Sequence, residues 1–99
     1  MVDRPQRFDI ERPVKFRLSD VRNAPSLSGR TVNISTGGVL IQTDHAIAPG
    51  RKVEMVVRMA KLAPDSPEID LRLYGVTVRT GDGCFAAQIR KHHLQPRPN

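Results

Sequence analysis

Apolar and polar residues alternate with a period of two along most of this chain. In the segment Val14-Lys15-Phe16-Arg17-Leu18 the apolar side chains fall on one face and the cations on the other. A period of two is that of a half-buried β-strand, because successive side chains of a strand point to opposite faces. The same pattern predicts further strands at 31–35, 39–43, 53–59, 69–78 and 85–89. The chain is therefore expected to be all-β.

The segment 53–59 also fits a second interpretation. Val53, Val56 and Val57 have helical spacing, and Glu54 and Arg58 would form a favourable pair on one helix face. The strand-sized length of the run, between predicted strands on both sides, favours a strand. In the segment 31–35 the alternation places Val32 and Ile34 on the apolar face, and it places Thr31, Asn33 and Ser35 on the polar one.

A change of parity marks the segment 69–78. Leu71 and Leu73 occupy one face, but after Gly75 the apolar positions are Val76 and Val78. Such a change at a glycine is typical of a β-bulge or a sharp strand bend, which small barrels need. We therefore expect an irregularity at Gly75, with the apolar face continuing through the two valines.

Six short strands separated by turn residues predict a small six-stranded antiparallel β-barrel, because closure hides the edges of the sheet. The triplet Gly81-Asp82-Gly83 is a strong hairpin signal before the last strand. We expect residues 12–91 to form the barrel and residues 1–11 to be a flexible arm. Residues 92–99 are expected to be a C-terminal tail with at most one turn of helix.

The 11.0 kDa chain is too small for a large enzyme with a deep pocket, and no apolar run is long enough for a membrane span. It lacks the apolar stretch of a signal peptide, so a cytoplasmic location is expected. The net charge is +6, and residues 31–89 carry as many acids as bases. The surplus therefore lies at the two ends, which points to an anionic partner, although it would also serve solubility alone.

No set of residues points to catalysis or to a resident cofactor. The acids are scattered, and Cys84 is expected to be a small filler rather than a nucleophile. His45, His92 and His93 lack a carboxylate or thiol at ligand spacing, so no metal site is expected. The sequence indicates a binding protein rather than an enzyme.

Two groups of residues are candidates for binding. Asn33 and Ser35 share the polar face of their strand, and Gly37 and Gly38 follow in the turn to the next strand. Such a turn leaves backbone N–H groups open to a phosphate or a base edge, although the chemistry of these residues alone favours a plain hairpin. On the arm, Arg4 and Arg7 offer donor forks that can bind guanine O6 and N7, although the same two arginines could simply be a solvated basic terminus.

These residues resemble the PilZ domain family, which binds the bacterial second messenger cyclic di-GMP. The family pattern is an arginine pair on an N-terminal arm, RxxxR, followed by (D/N)xSxxG between two later strands. Asn33-x-Ser35-x-x-Gly38 matches the second motif, whereas Arg4 and Arg7 give RxxR, with Asp3 at the expected position of the first arginine. The resemblance implies that the ligand contacts Arg4, Arg7, Asn33, Ser35, Gly37 and Gly38. It also implies that the arm becomes ordered over the ligand and signals to a protein partner.

Two other functions stay open at this stage. Some PilZ-like domains bind no nucleotide and act through protein contacts, an interpretation that the RxxR spacing favours. A basic barrel could also bind single-stranded nucleic acid, but such barrels usually offer aromatic stacking platforms. Phe16 and Phe85 are expected in the core, which leaves only Phe8 and Tyr74. The sequence therefore favours a cyclic di-GMP receptor.

Overall fold

The computed structural model describes residues 10–59, 61 and 63–97 and contains the six predicted strands. They are β1 (Pro13–Leu18), β2 (Leu27–Ile34), β3 (Gly38–Gln42), β4 (Lys52–Met59), β5 (Ile69–Gly81) and β6 (Cys84–Pro96). The segment that also fitted a helix is strand β4, so the strand interpretation is confirmed. Among these residues no helix is long and apolar enough to cross a membrane.

The strands close into a barrel in the order β1-β2-β3-β6-β5-β4, and every neighbouring pair is antiparallel. The predicted fold is therefore confirmed. β5 and β6 form a hairpin in which Gly81 pairs with Cys84, and Gly83 adopts a φ of 73° in the turn. A positive φ at this point is readily adopted by glycine, which explains why the turn signal was so clear.

The inward faces of the strands supply one apolar core. Phe16 and Phe85 meet edge to face at its centre, with ring centroids 5.1 Å apart. Both rings are buried, as the alternation predicted. The other fully buried apolar residues include Ile41, Met55 and Leu73. Each such side chain stabilises the fold by roughly 1.5–3 kcal/mol relative to an exposed one, so the core rather than the loops holds the barrel closed.

Two threonines occupy inward positions. Thr31 is 0% exposed and Thr77 is 1% exposed. The prediction that Thr31 shares the polar face is wrong: it pairs with Ile41, Val32 is the extra residue of a β-bulge, and Ile34 then returns to the core side. The reason is that the hydroxyl of Thr31 is fully satisfied by backbone groups, which removes the cost of burying it.

The parity of β5 does not change at Gly75. Leu73, Gly75 and Thr77 are all buried, so the predicted shift of the apolar face to Val76 and Val78 is wrong. An irregularity does lie at Gly75, but its extra residue is on β6. A second bulge makes Val78 the extra residue between the pairs Thr77–Ala87 and Arg79–Ala86, and leaves it 55% exposed.

The C-terminal segment is a strand rather than a tail. Residues 92–96 continue β6 and pair with β5 from Ile69 to Leu73, so the expected irregular segment with a helical turn is wrong there. Arg97 fastens the end of the strand: its guanidinium binds Asp70 at 3.0 Å and also pairs with Glu68. The hydrogen bond to Asp70 raises the pKa of Arg97, because it stabilises the charged guanidinium.

A cleft of about 510 Å³ is lined by residues of β1, β2, β4 and β5, among them Pro13, and by Arg97, which follows β6. Its cations are Lys15, Arg58 and Arg97, and Asp70 lies among them. The start of β1 and the residue after β6 therefore lie on the same side of the barrel.

Candidate ligand-binding site

The second outer cleft, of about 430 Å³, brings four of the predicted site residues together. It lies on the strands β2, β3, β5 and β6, and its size falls in the range of small-molecule sites. The predicted residues in its lining are Asn33, Ser35, Gly37 and Gly38. The others are Val39, Leu40, Val78, Arg79, Ala86, Ala87 and Gln88.

The turn between β2 and β3 is closed by its own serine. The backbone N–H of Ser35 donates to the carbonyl of Gly38 at 2.8 Å, and Ser35 Oγ accepts the N–H of Gly38 at 3.2 Å. The hydroxyl also lies 3.3 Å from the Gly38 carbonyl. A hydroxyl can rotate its proton while it still accepts through a lone pair. Ser35 can therefore hold the turn and donate to a ligand oxygen.

One row of the sheet crosses the cleft from side to side. Asn33 pairs with Leu40, Leu40 with Ala86, and Ala86 with Arg79. Three inter-strand spacings separate its polar ends, or about 14 Å. The middle of the row is aliphatic, and the exposed Val78 stands beside it. An apolar floor with polar groups at both ends fits a flat ring system that carries hydrogen-bonding edges.

The chain enters the barrel next to this cleft, and Thr31 fixes the place of entry. Thr31 Oγ1 donates to the carbonyl of Ile10 and accepts the N–H of Arg12 at 2.9 Å. The backbone N–H of Thr31 donates to the carbonyl of Arg12, also at 2.9 Å. Because Asn33 lies two residues further along β2, the described chain begins close to the cleft.

Loss of the Thr31 hydroxyl is expected to lower stability. In Thr31→Val a methyl group replaces the hydroxyl, which leaves the N–H of Arg12 and the carbonyl of Ile10 without their partner. An unsatisfied buried group costs about 1–3 kcal/mol, or roughly 4–24 °C in a domain of this size. Thermal unfolding followed by circular dichroism measures the loss. Thr31→Ser keeps the hydroxyl and is the control; a serine variant less stable than the valine variant would contradict this account.

The other two predicted site residues, Arg4 and Arg7, lie outside the described residues. Val78 and Arg79 line the cleft but were missed, because the sequence pattern assigned Val78 to the inner face. The sequence carries no signal for them, because Val78 turns outward at a bulge. The bulge follows Thr77, whose inward hydroxyl donates to the carbonyl of Ala48 and accepts the N–H of Arg51.

Comparison with known proteins decides the family. The family model for the PilZ domain matches residues 3–95. The chain belongs to the PilZ family. PilZ domains generally bind cyclic di-GMP and are generally non-catalytic binding modules. The matched region covers nearly all of the described barrel and also residues 3–9.

A solved PilZ structure shows the same fold. The crystal structure of the PilZ domain of CeSA from a cellulose-synthesizing bacterium matches with a TM-score of 0.63 and 18% sequence identity. The match covers 87% of this chain and 81% of that one. No curated protein matches this PilZ chain. Among its described residues, no group of three or more His, Cys, Asp or Glu is placed to hold a metal ion.

Proposed function

We propose that this PilZ domain is a non-enzymatic receptor for cyclic di-GMP in the bacterial cytoplasm. The observation that carries the proposal is the position of Thr31, which brings the start of the described chain beside Asn33. Arg7 precedes Ile10 by three residues, a length that spans at most about 10 Å. The arm is therefore long enough to bring Arg7 to the ligand in the cleft.

The chemistry of the cleft supports the same ligand. Cyclic di-GMP offers two guanines and two phosphates. A guanine placed over Leu40 and Ala86 would contact the aliphatic floor, with Val78 against its edge. Asn33 can bond a base edge, while the Ser35 hydroxyl and the open turn at Gly37 suit a phosphate.

The cations complete the site from two directions. In this proposal Arg4 and Arg7 reach the ligand from the arm, and Arg79 neutralises charge from β5. A charge-assisted hydrogen bond contributes about 1.5–3 kcal/mol, whereas ordering a residue costs about 1–2 kcal/mol. For an arm of this length, the total gain from such hydrogen bonds is similar to the total cost of ordering its residues. Ligand binding can therefore decide whether the arm is ordered. The ordered arm would be the signal that a protein partner recognises.

Calorimetric titration with cyclic di-GMP tests the proposal. We expect saturable heat at micromolar ligand, and no comparable heat with cyclic di-AMP, because adenine lacks the O6 acceptor that an arginine fork pairs with. The alternative is a PilZ domain that acts through protein contacts alone, which the RxxR spacing of Arg4 and Arg7 favours. If both titrations gave only heats of dilution, the result would support that alternative and contradict the proposal of a receptor.

A further inference from the structure

The last part of β6 extends past the end of its pairing with β3. β3 pairs with β6 only from Cys84 to Gln88, whereas β5 pairs with it as far as Pro96. Residues 90–96 therefore have a neighbouring strand on one side, and among the residues that the structure describes no strand pairs with the other side. We call the segment 90–96 the β6 edge.

The direction of the backbone groups on the β6 edge follows from one hydrogen bond. The N–H of Arg97 donates to the carbonyl of Glu68 at 2.8 Å. In an antiparallel ladder, bonded and non-bonded pairs alternate. His93 therefore bonds to β5, and His92 and Leu94 direct their N–H and carbonyl groups to the open side.

A proline ends this row of donors. Pro96 has the same phase as Leu94, so its nitrogen faces the open side, where a missing N–H breaks no bond to β5. The open side thus presents two consecutive outward N–H groups, those of His92 and Leu94, before it stops. Leu94 also leaves its side chain 63% exposed.

The two faces of the β6 edge differ in character. On the outer face, Lys91 Nζ lies 5.8 Å from the ring centroid of Tyr74, and the ring of His93 stacks on the same tyrosine at 6.3 Å. On the inner face, Leu94 pairs with Leu71, which packs against the core. An added strand would therefore place alternate side chains beside Lys91 and His93 on one face and beside an apolar residue on the other.

Charge selects between possible occupants of the β6 edge. Arg90 and Lys91 are exposed. The nearby acids are already paired: Asp70, opposite Gln95, binds Arg97. Glu54, on β4, pairs with Arg17 and Arg72. A second copy of this chain would bring like charges together, which is how natural edges avoid self-pairing. A strand with acidic side chains would instead be attracted to Arg90 and Lys91.

We propose that the β6 edge binds an extended segment of a partner protein in which acidic and apolar residues alternate. The segment adds to the sheet as a strand, bonds to His92 and Leu94, places its acids beside Lys91 and His93, and covers Leu94. The edge lies outside the ligand cleft, so this surface does not depend on nucleotide binding.

A labelled nine-residue peptide that alternates Glu and Val tests the proposal by fluorescence anisotropy with the full chain. We expect saturable binding that weakens as salt rises, because the acids pair with exposed cations. A peptide that alternates Lys and Val has the same strand propensity and the opposite charge, and it should not bind. Equal binding of the two peptides, or of neither, would overturn the proposal.

A matched pair of variants isolates the backbone bond. Leu94→Thr and Leu94→Pro both remove the leucine side chain, but only the proline removes the outward N–H. We expect the proline variant to bind the acidic peptide about tenfold more weakly than the threonine variant. Both should melt at similar temperatures, because the N–H of Leu94 makes no bond to β5. Equal affinities would show that the peptide does not pair with this edge.

Hydrogen exchange gives a readout that needs no substitution. The amides of His92 and Leu94 should exchange rapidly in the free chain and become protected by the acidic peptide. The amide of His93, which bonds to β5, should be protected in both states. Alternatively, His92 and Leu94 could be protected in the free chain because two copies form a dimer, which a molecular mass in solution that rises with protein concentration would reveal. The edge would then bind a second copy, and the proposal would be wrong.

Discussion

Replacing Arg7 by alanine is expected to weaken cyclic di-GMP binding at least about a hundredfold. A guanidinium fork makes two parallel charge-assisted bonds, and the loss of both removes about 3 kcal/mol or more. Titration calorimetry measures the change. Arg7→Lys keeps the charge but loses the fork, so it should recover only part of the affinity.

The control for Arg7→Ala is Arg22→Ala. Arg22 is an exposed arginine after the far end of β1, so the substitution changes net charge equally while it leaves the surroundings of the cleft intact. It should leave affinity within about twofold, since distant surface charges are screened. Equal losses in the two variants would show that affinity comes from overall charge. An unchanged affinity in Arg7→Ala would show that the arm does not contact the ligand.

Gly75→Ala should cause the largest loss of stability. A Cβ at this position would lie 2.3 Å from the carbonyl oxygen of Gln88 and 3.2 Å from its carbonyl carbon. Both are backbone atoms, so the strands must separate at the bulge. Overpacking of this kind costs about 3 kcal/mol, which corresponds to roughly 12–24 °C for a domain of this size.

Gly37→Ala is the matched control, because no atom lies within 4 Å of the Cβ that it would add. Thermal unfolding should show a large drop for Gly75→Ala and almost none for Gly37→Ala. Similar melting temperatures would contradict the close approach of β5 and β6. Because Gln88 also lines the ligand cleft, the Gly75 variant should additionally bind cyclic di-GMP more weakly at a temperature where it is folded.

Most of the fold could be predicted from the alternation of apolar residues, because a barrel with one apolar side imposes that period on every strand. The pattern failed where a polar residue faces inward. Thr31 bonds to the backbone of the segment before β1, and Thr77 bonds to loop backbone; hydrophobicity alone carries no record of those partners. The register errors in β2 and β5 both follow from these two threonines.

The end of β6 could not be predicted for a related reason. The run His92-His93-Leu94-Gln95-Pro96 shows no alternation, because its exposed edge and half-covered inner face impose none. Residues 92–96 form a strand because β5 is long enough to pair with them through backbone hydrogen bonds. In the candidate site, the sequence located the turn from Asn33 to Gly38 through its motif. The contribution of Val78 and Arg79 depends on a bulge, which has no comparable signature.

The cleft shared by Pro13 and Arg97 has a consequence for protein engineering. Since the described chain enters and leaves the barrel on one side, a short linker could join its ends without crossing the sheet. New termini could then open at the turn of Asp82 and Gly83, at the tip of the longest hairpin. A circular permutant of this kind would keep all six strands. A reporter fused to its new termini would be attached at the β5–β6 turn, at the end of the barrel opposite Pro13 and Arg97.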